Sequence, residues 1–195
     1  RTTQALDTML DAILDRPPMQ LPQDDAGFRQ WLREKVSTVP DIRAIYIIGA
    51  DGFIRHDTDY PEKPRVSLAD RDYFRYHQQS ESLALHVSHP LMSRSVDRWF
   101  LAVSKRMNAP DGDFAGLVAA AVEPAFYERI YDELPLGPED SIALWHEDGH
   151  LIARYPDDLG LVGNRMQHLR IFQGLLPEGE PGTYIADNDI LAQGK

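Results

Sequence analysis

The chain has 195 residues, 43% of them apolar and 26% charged, a balance that excludes wholesale disorder and suits one large domain or two small lobes. Asp+Glu 31 against Lys+Arg 20 gives a formal net charge of −11, which repels phosphate backbones and anionic membrane surfaces, so nucleic acid is not an expected partner. There are no cysteines, which removes disulfides, thiolate metal sites and cysteine nucleophiles together, and no apolar run approaches the ~20 residues of a spanning helix.

In chain order, Leu6, Met9, Leu10, Ile13 and Leu14 recur at helical spacing up to Pro17-Pro18. Asp24 or Asp25 can cap a second helix with Phe28, Trp31, Leu32 and Val36 on one face, stopped by Pro40. The period then becomes that of a β-hairpin: an apolar run over 44–48, the turn Gly49-Ala50-Asp51-Gly52, and an outgoing run over 53–57. After a loop with Pro61 and Pro64, Ser67-Leu68-Ala69-Asp70 has the pattern of a capping box and predicts a helix over about 68–79. A strand is expected at 83–88, interrupted at Pro90. Two long strands follow at 98–107 and 113–122, joined by the turn Asn108-Ala109-Pro110-Asp111-Gly112. Phe126, Tyr127, Ile130, Tyr131 and Leu134 mark an amphipathic helix ended by Pro135 and Gly137. Beyond a second hairpin come a loop with Gly160 and Gly163, a helix over about 166–176 and a short strand over about 183–186.

The second hairpin repeats the first. Ile45-Tyr46-Ile47-Ile48 before Asp51-Gly52 has its counterpart in Ile142-Ala143-Leu144-Trp145 before Asp148-Gly149. Two ordinary hairpins sharing a common turn would look the same, but two related lobes are the reading adopted. The order helix, hairpin, helix, long antiparallel strands gives an α+β fold with an antiparallel sheet in each lobe. Boundaries fall at 1–40 for an N-terminal helical segment, 41–137 for the first lobe and 138–195 for a short or truncated second one.

Ile45 to Phe53, then Leu68-Ala69-Asp70-Arg71-Asp72-Tyr73-Phe74, Ser93-Arg94 with Trp99, 111–118 and 142–156 together resemble the double Cache sensor family. These tandem PAS-like modules are the extracytoplasmic parts of bacterial histidine kinases, diguanylate cyclases and chemoreceptors. The resemblance implies a long N-terminal helix rising from a membrane span, a membrane-distal lobe that binds a small molecule, and a smaller membrane-proximal lobe. It further implies a second span, a cytoplasmic output domain, a periplasmic location and a homodimer formed through the N-terminal helix. Arg1 in place of Met agrees with a piece of a longer protein. The family's amino-acid-binding subgroup has Arg-x-Trp-Tyr on the pocket helix and an aspartate late in the last long strand. Here the segment is Arg71-Asp72-Tyr73-Phe74 and the aspartate position falls near Ala121, which argues against a simple amino-acid receptor.

The candidate ligand-binding residues are Arg71, Tyr73, Phe74, His77, Ser93, Arg94 and Trp99. Arg71 opens a helix, where a cation is disfavoured by the macrodipole and needs either a carboxylate such as Asp70 or a bound anion. Arg94 or Arg98 can clamp a carboxylate against the Trp99 ring, or pair with surface acids. His86 and His89 stand three apart on an expected strand and point to opposite faces, so no metal site is expected from them. Asp111-Gly112-Asp113 and Asp187-Asn188-Asp189 lack the remaining ligands of a calcium loop. No Gly-x-Ser-x-Gly, phosphate loop or dinucleotide fingerprint is present, and no cofactor is called for. The expected function is a non-enzymatic sensor binding a small organic anion. The alternative is a ligand-free structural or dimerisation module in which the paired N-terminal helices do the work; the Leu6, Leu10 and Ile13 stripe is expected to pack partly on the domain and partly on a second copy.

Overall fold

The computed structural model describes residues 2–15, 24–39, 42–59, 66–94, 96–137, 140–157, 160–169 and 172. Its centre is an antiparallel sheet whose three long strands bury both faces, because each of these carries apolar residues at both parities. The strands are β1 (Ile42–Gly49), β2 (Ile54–Asp57), β3 (His86–Val87), β4 (Leu91–Met92), β5 (Trp99–Asn108) and β6 (Phe114–Val122). They are ordered β2-β1-β6-β5-β3, with β4 also on β5. The α+β class holds.

Helices α1 (Thr2–Leu14) and α2 (Asp25–Val36) cover one face. Leu10, Ile13 and Leu32 meet Ile45, Val103, Val118 and Ala120 there. Asp24 caps α2, its carboxylate accepting from Gly27 N at 2.7 Å. Lys105 projects from β5 into the same layer and reaches Asp7 at 2.7 Å and Asp11 at 2.5 Å, pinning α1 to the sheet. The stripe expected to be shared with a second copy is spent on this core: Leu6, Leu10 and Ile13 are all buried. The outer face of α1 exposes Thr3, Gln4, Ala5, Thr8 and Ala12 instead.

The other face takes α3 (Asp72–Gln79), packed through Tyr73 and Phe74 on Ala44, Phe100, Leu117 and Ala119. The helix starts four residues later than the capping-box pattern predicts. Leu68 N donates to Gly52 O and Phe53 bridges Ser67, which holds this segment extended against the first hairpin. Asp70, the expected capping carboxylate, is taken by Arg94. The strand expected at 83–88 shortens to β3, because the Ser80 and Ser82 hydroxyls accept from Ser82 N and Ala84 N and keep those amides out of a ladder.

Helix α4 (Ala125–Asp132) leads to a separate two-stranded sheet, β7 (Ile142–Trp145) and β8 (Leu151–Tyr155). Ile152 and Ala153 dock it on Leu101 of β5, with Tyr127 and Tyr131 of α4 alongside. The two hairpin turns are built alike. In the first, Gly49 N donates to Phe53 O and Gly52 N to Gly49 O; in the second, His146 N donates to His150 O and Gly149 N to His146 O. Both central glycines have positive φ, +80° and +91°. Each ladder shifts register at the matching place, Ile47/Ile48 and Leu144/Trp145. Each glycine carbonyl then accepts from a later segment, Leu68 N and Met166 N. Of the helix expected over about 166–176, the stretch 166–169 lies in turns, while the strand at about 183–186 and the Asp187-Asn188-Asp189 tail lie outside the described residues. No helix among the described residues is long and apolar enough to cross a membrane.

Candidate functional site

The extended segment before α3 and the loop between β4 and β5 leave a small, partly open pocket against the sheet. Tyr46 of β1, Ile54 of β2, Leu68 and Phe100 of β5 form apolar walls. Arg71, Tyr73, Ser93 and Arg94 supply polar atoms, and Val66 stands at the edge. This is the composition of a small-molecule site, mostly apolar with a few polar groups for orientation. The Tyr46 ring is held in place by Arg43 Nη2, which donates to its hydroxyl at 2.7 Å.

The two arginines differ. Arg94 is committed: it donates to both Asp70 oxygens at 2.9 Å and 2.5 Å and to Ser67 O at 2.7 Å. That hydrogen bond holds the Asp70 carboxyl below its usual range. Arg71 donates from Nη2 to Met92 O at 2.8 Å, while its Nε is buried with no hydrogen-bond partner. Burial, and then the neighbouring Arg94 charge, lower the Arg71 pKa from its ordinary value, although a guanidinium keeps its proton at neutral pH. A buried, unpaired guanidinium N–H is costly unless something in the pocket accepts from it. Tyr73 is buried and desolvation raises its pKa far above the usual phenol range, so its hydroxyl stays protonated.

Three expected ligand residues are not in this pocket. Phe74 is core, its ring edge-on to Phe114 at 5.4 Å. His77 lies one helical turn beyond Tyr73, over Ser104, with Nε2 3.0 Å from Oγ. Burial first, and the neighbouring His86 next, push its pKa down to about 4, so it is a neutral core group. Trp99 faces away from the pocket, its indole against Gly163 in the loop after β8. Adjacent strand residues alternate faces, so Phe100, not Trp99, is the aromatic wall. That parity rule was the signal for Phe100, and Tyr46 lies on the same face by register. Leu68 and Val66 had no local signal, because a tertiary contact keeps their segment extended.

His86 stacks on Tyr76 with ring centroids 3.9 Å apart, whereas His89 turns to the second hairpin and stacks on His150 at 4.7 Å. Arg98 pairs on the surface with Glu123 at 3.5 Å. Asp111 and Asp113 form the β5–β6 turn, with Asp111 Oδ1 accepting from Asp113 N at 3.2 Å.

No protein-family model matches the chain, and no curated protein matches it. The extracellular domain of rpHK1S-Z16, a protein assigned as a histidine kinase, is 32% identical, with a TM-score of 0.80 over 91% of this chain and 72% of that one. The chain belongs to the Cache family of extracytoplasmic sensor domains. Further Cache folds are alike at low identity. The ligand-binding domain of the Pseudomonas aeruginosa PAO1 amino-acid chemoreceptor PctC, in complex with GABA, is 17% identical with TM-score 0.58 over 87% of this chain and 78% of that one. That of the Campylobacter jejuni chemoreceptor Tlp3, in complex with L-norvaline, is 10% identical with TM-score 0.60 over 80% and 62%. The three are extracellular or ligand-binding domains, and this Cache domain is a sensor module of the same kind.

Proposed function

We propose that this Cache domain is the periplasmic input module of a bacterial transmembrane signalling protein, and that the pocket beside α3 takes a small organic anion, a carboxylate in the first instance. The carrying observation is Arg71, which lines the pocket and carries a buried Nε with no hydrogen-bond partner. Helix α3 adds to this, since it begins without a side-chain cap and its first amides keep their donor capacity. No acidic residue lines the described pocket, and Ala121 is buried on the α3 face of the sheet. Both features favour an anion over a zwitterionic amino acid. Leu6, Leu10 and Ile13 of α1 are buried in the chain's own core, which weighs against the ligand-free dimerisation alternative.

The matching hairpins support two PAS-like units, a distal one at 41–137 with the pocket and a proximal one from 138, after the helical segment 1–40. Signalling then works by population shift: a ligand that prefers one arrangement of the distal unit biases what packs on it, here α1 and the second hairpin. Membrane spans, a homodimer and a kinase or cyclase output belong to the full-length protein in this reading.

The test is a thermal-shift screen of mono- and dicarboxylates beside neutral and zwitterionic controls, then calorimetric titration of the best ligand. Arg71→Ala should weaken binding by about 2–5 kcal/mol, roughly 30-fold or more, with little change in melting temperature. Arg94→Ala should lower the melting temperature instead, since it unties Asp70. Unchanged affinity in a folded Arg71→Ala variant overturns the anion reading.

A further inference from the structure

The loop between β3 and β4 meets the turn of the second hairpin away from the pocket lining. His89 from the loop lies with Nδ1 3.0 Å from Asp72 Oδ2, and its ring stacks on His150 at an interplanar angle of 14°. Asp148 Oδ1 stands 2.8 Å from His146 Nδ1 and 2.8 Å from His150 Nδ1. One ligand atom each from His89, Asp148 and His150 falls within 4.8 Å of the others.

We propose that His89, Asp148 and His150 form a binding site for a transition-metal dication of the zinc class, bridging the first sheet's β3–β4 loop to the second hairpin. The donor set is two imidazoles and one carboxylate, which suits zinc and its neighbours and is poor for calcium or magnesium, which want six or more oxygens. Tetrahedral arms of zinc length place ligand atoms about 3.3 Å apart, so three atoms already within 4.8 Å need only side-chain closure. Two of the three ligands also have an outer partner that fixes their direction. Asp72 engages His89 Nδ1 and leaves Nε2 to ligate; His146 holds the Asp148 carboxylate. All three ligands are half-buried, dry enough to favour direct coordination and open enough for an ion to enter. A fourth position stays for water. The ligands come from chain positions far apart, so the ion would be a clamp between the two hairpin-bearing parts of the molecule.

The experiment is titration of untagged protein with Zn²⁺ against a chromophoric chelator, with Co²⁺ absorption as a second readout. One equivalent should bind per chain. His89→Ala, Asp148→Asn and His150→Ala should each weaken binding at least about tenfold. His86→Ala, whose ring stacks on Tyr76, should leave the affinity unchanged. Wild-type affinity in His89→Ala, or no saturation at one equivalent, overturns the site. Should a variant not fold, the wild-type Co²⁺ spectrum decides: intense visible bands of a tetrahedral ion uphold the site, and the weak spectrum of a six-coordinate ion overturns it.

Discussion

The turns at Gly52 and Gly149 share one backbone and serve different ends. In the first, Asp51 makes an exposed ion pair with Arg55 at 2.6 Å, and the ladder it closes extends into a sheet with a pocket on one face and α1 and α2 on the other. In the second, Asp148 gathers His146 and His150, and the hairpin stays two-stranded and leans on β5 and α4. Glycine, register shift and carbonyl contact define the unit. The side chains at the turn and the strands added beside it set the two hairpins apart.

That comparison can be broken at its glycines, where the largest effect is expected. A methyl on Gly52 would stand 2.7 Å from Ala69 Cβ and 2.9 Å from its backbone nitrogen, neither of which can move away. A methyl on Gly149 would meet Gln167 Cγ at 2.9 Å, the middle of a flexible side chain. Both also force a left-handed backbone on alanine. Gly52→Ala should therefore cost about 2–4 kcal/mol in urea denaturation and Gly149→Ala about 1–2 kcal/mol. Equal costs would mean that the second turn is gripped as firmly as the first.

A second test separates the buried His77, over the main sheet, from the half-buried histidines at the second hairpin turn. His77 has its folded pKa depressed to about 4 against an ordinary 6.5. Its contribution is therefore full above that ordinary value and is lost as pH falls towards the folded pKa. Between about pH 7.5 and about pH 5 the protein should lose about 2 kcal/mol through this group. His86 from β3 and Arg106 from β5 face the same ring region and oppose its protonation. His77→Gln keeps the histidines at the second hairpin turn, so the difference in slope between wild type and variant isolates His77. Identical slopes would place the pH dependence elsewhere.

What was legible in the sequence was local. Asp24 capping α2, the glycine turns and the long β5–β6 pair each depend on residues within a few positions of one another. The start of α3 was not legible, because Asp70 pairs with Arg94, whose position depends on the β4–β5 loop folding back. Four of the seven expected ligand residues line the pocket. Trp99 stands one residue of strand parity from the pocket wall Phe100, and His77 one turn of helix beyond Tyr73. The cluster at His89 was invisible because its partners lie at 148 and 150, and spacing along the chain reveals only neighbours.

The smallest effect tests the joint between the two regions. Gly163 has φ +84°, its amide donates to Leu151 O at 2.8 Å, and a methyl there would stand 2.3 Å from the Trp99 indole. Gly163→Ala adds left-handed strain and displaces a ring that can swing only by giving up its packing on the loop. It should cost about 1–2 kcal/mol. Trp99→Ala removes the ring that the methyl would strike, so the double variant should be more stable than the sum of the two single losses predicts. A double-mutant cycle measures this directly, with coupling of about 1 kcal/mol expected for groups in contact. Strict additivity would show that the indole does not rest on Gly163 in solution, and that the second hairpin is held to the first sheet by its other contacts, Leu101 with Ile152 and Ala153, α4, and His89 on His150.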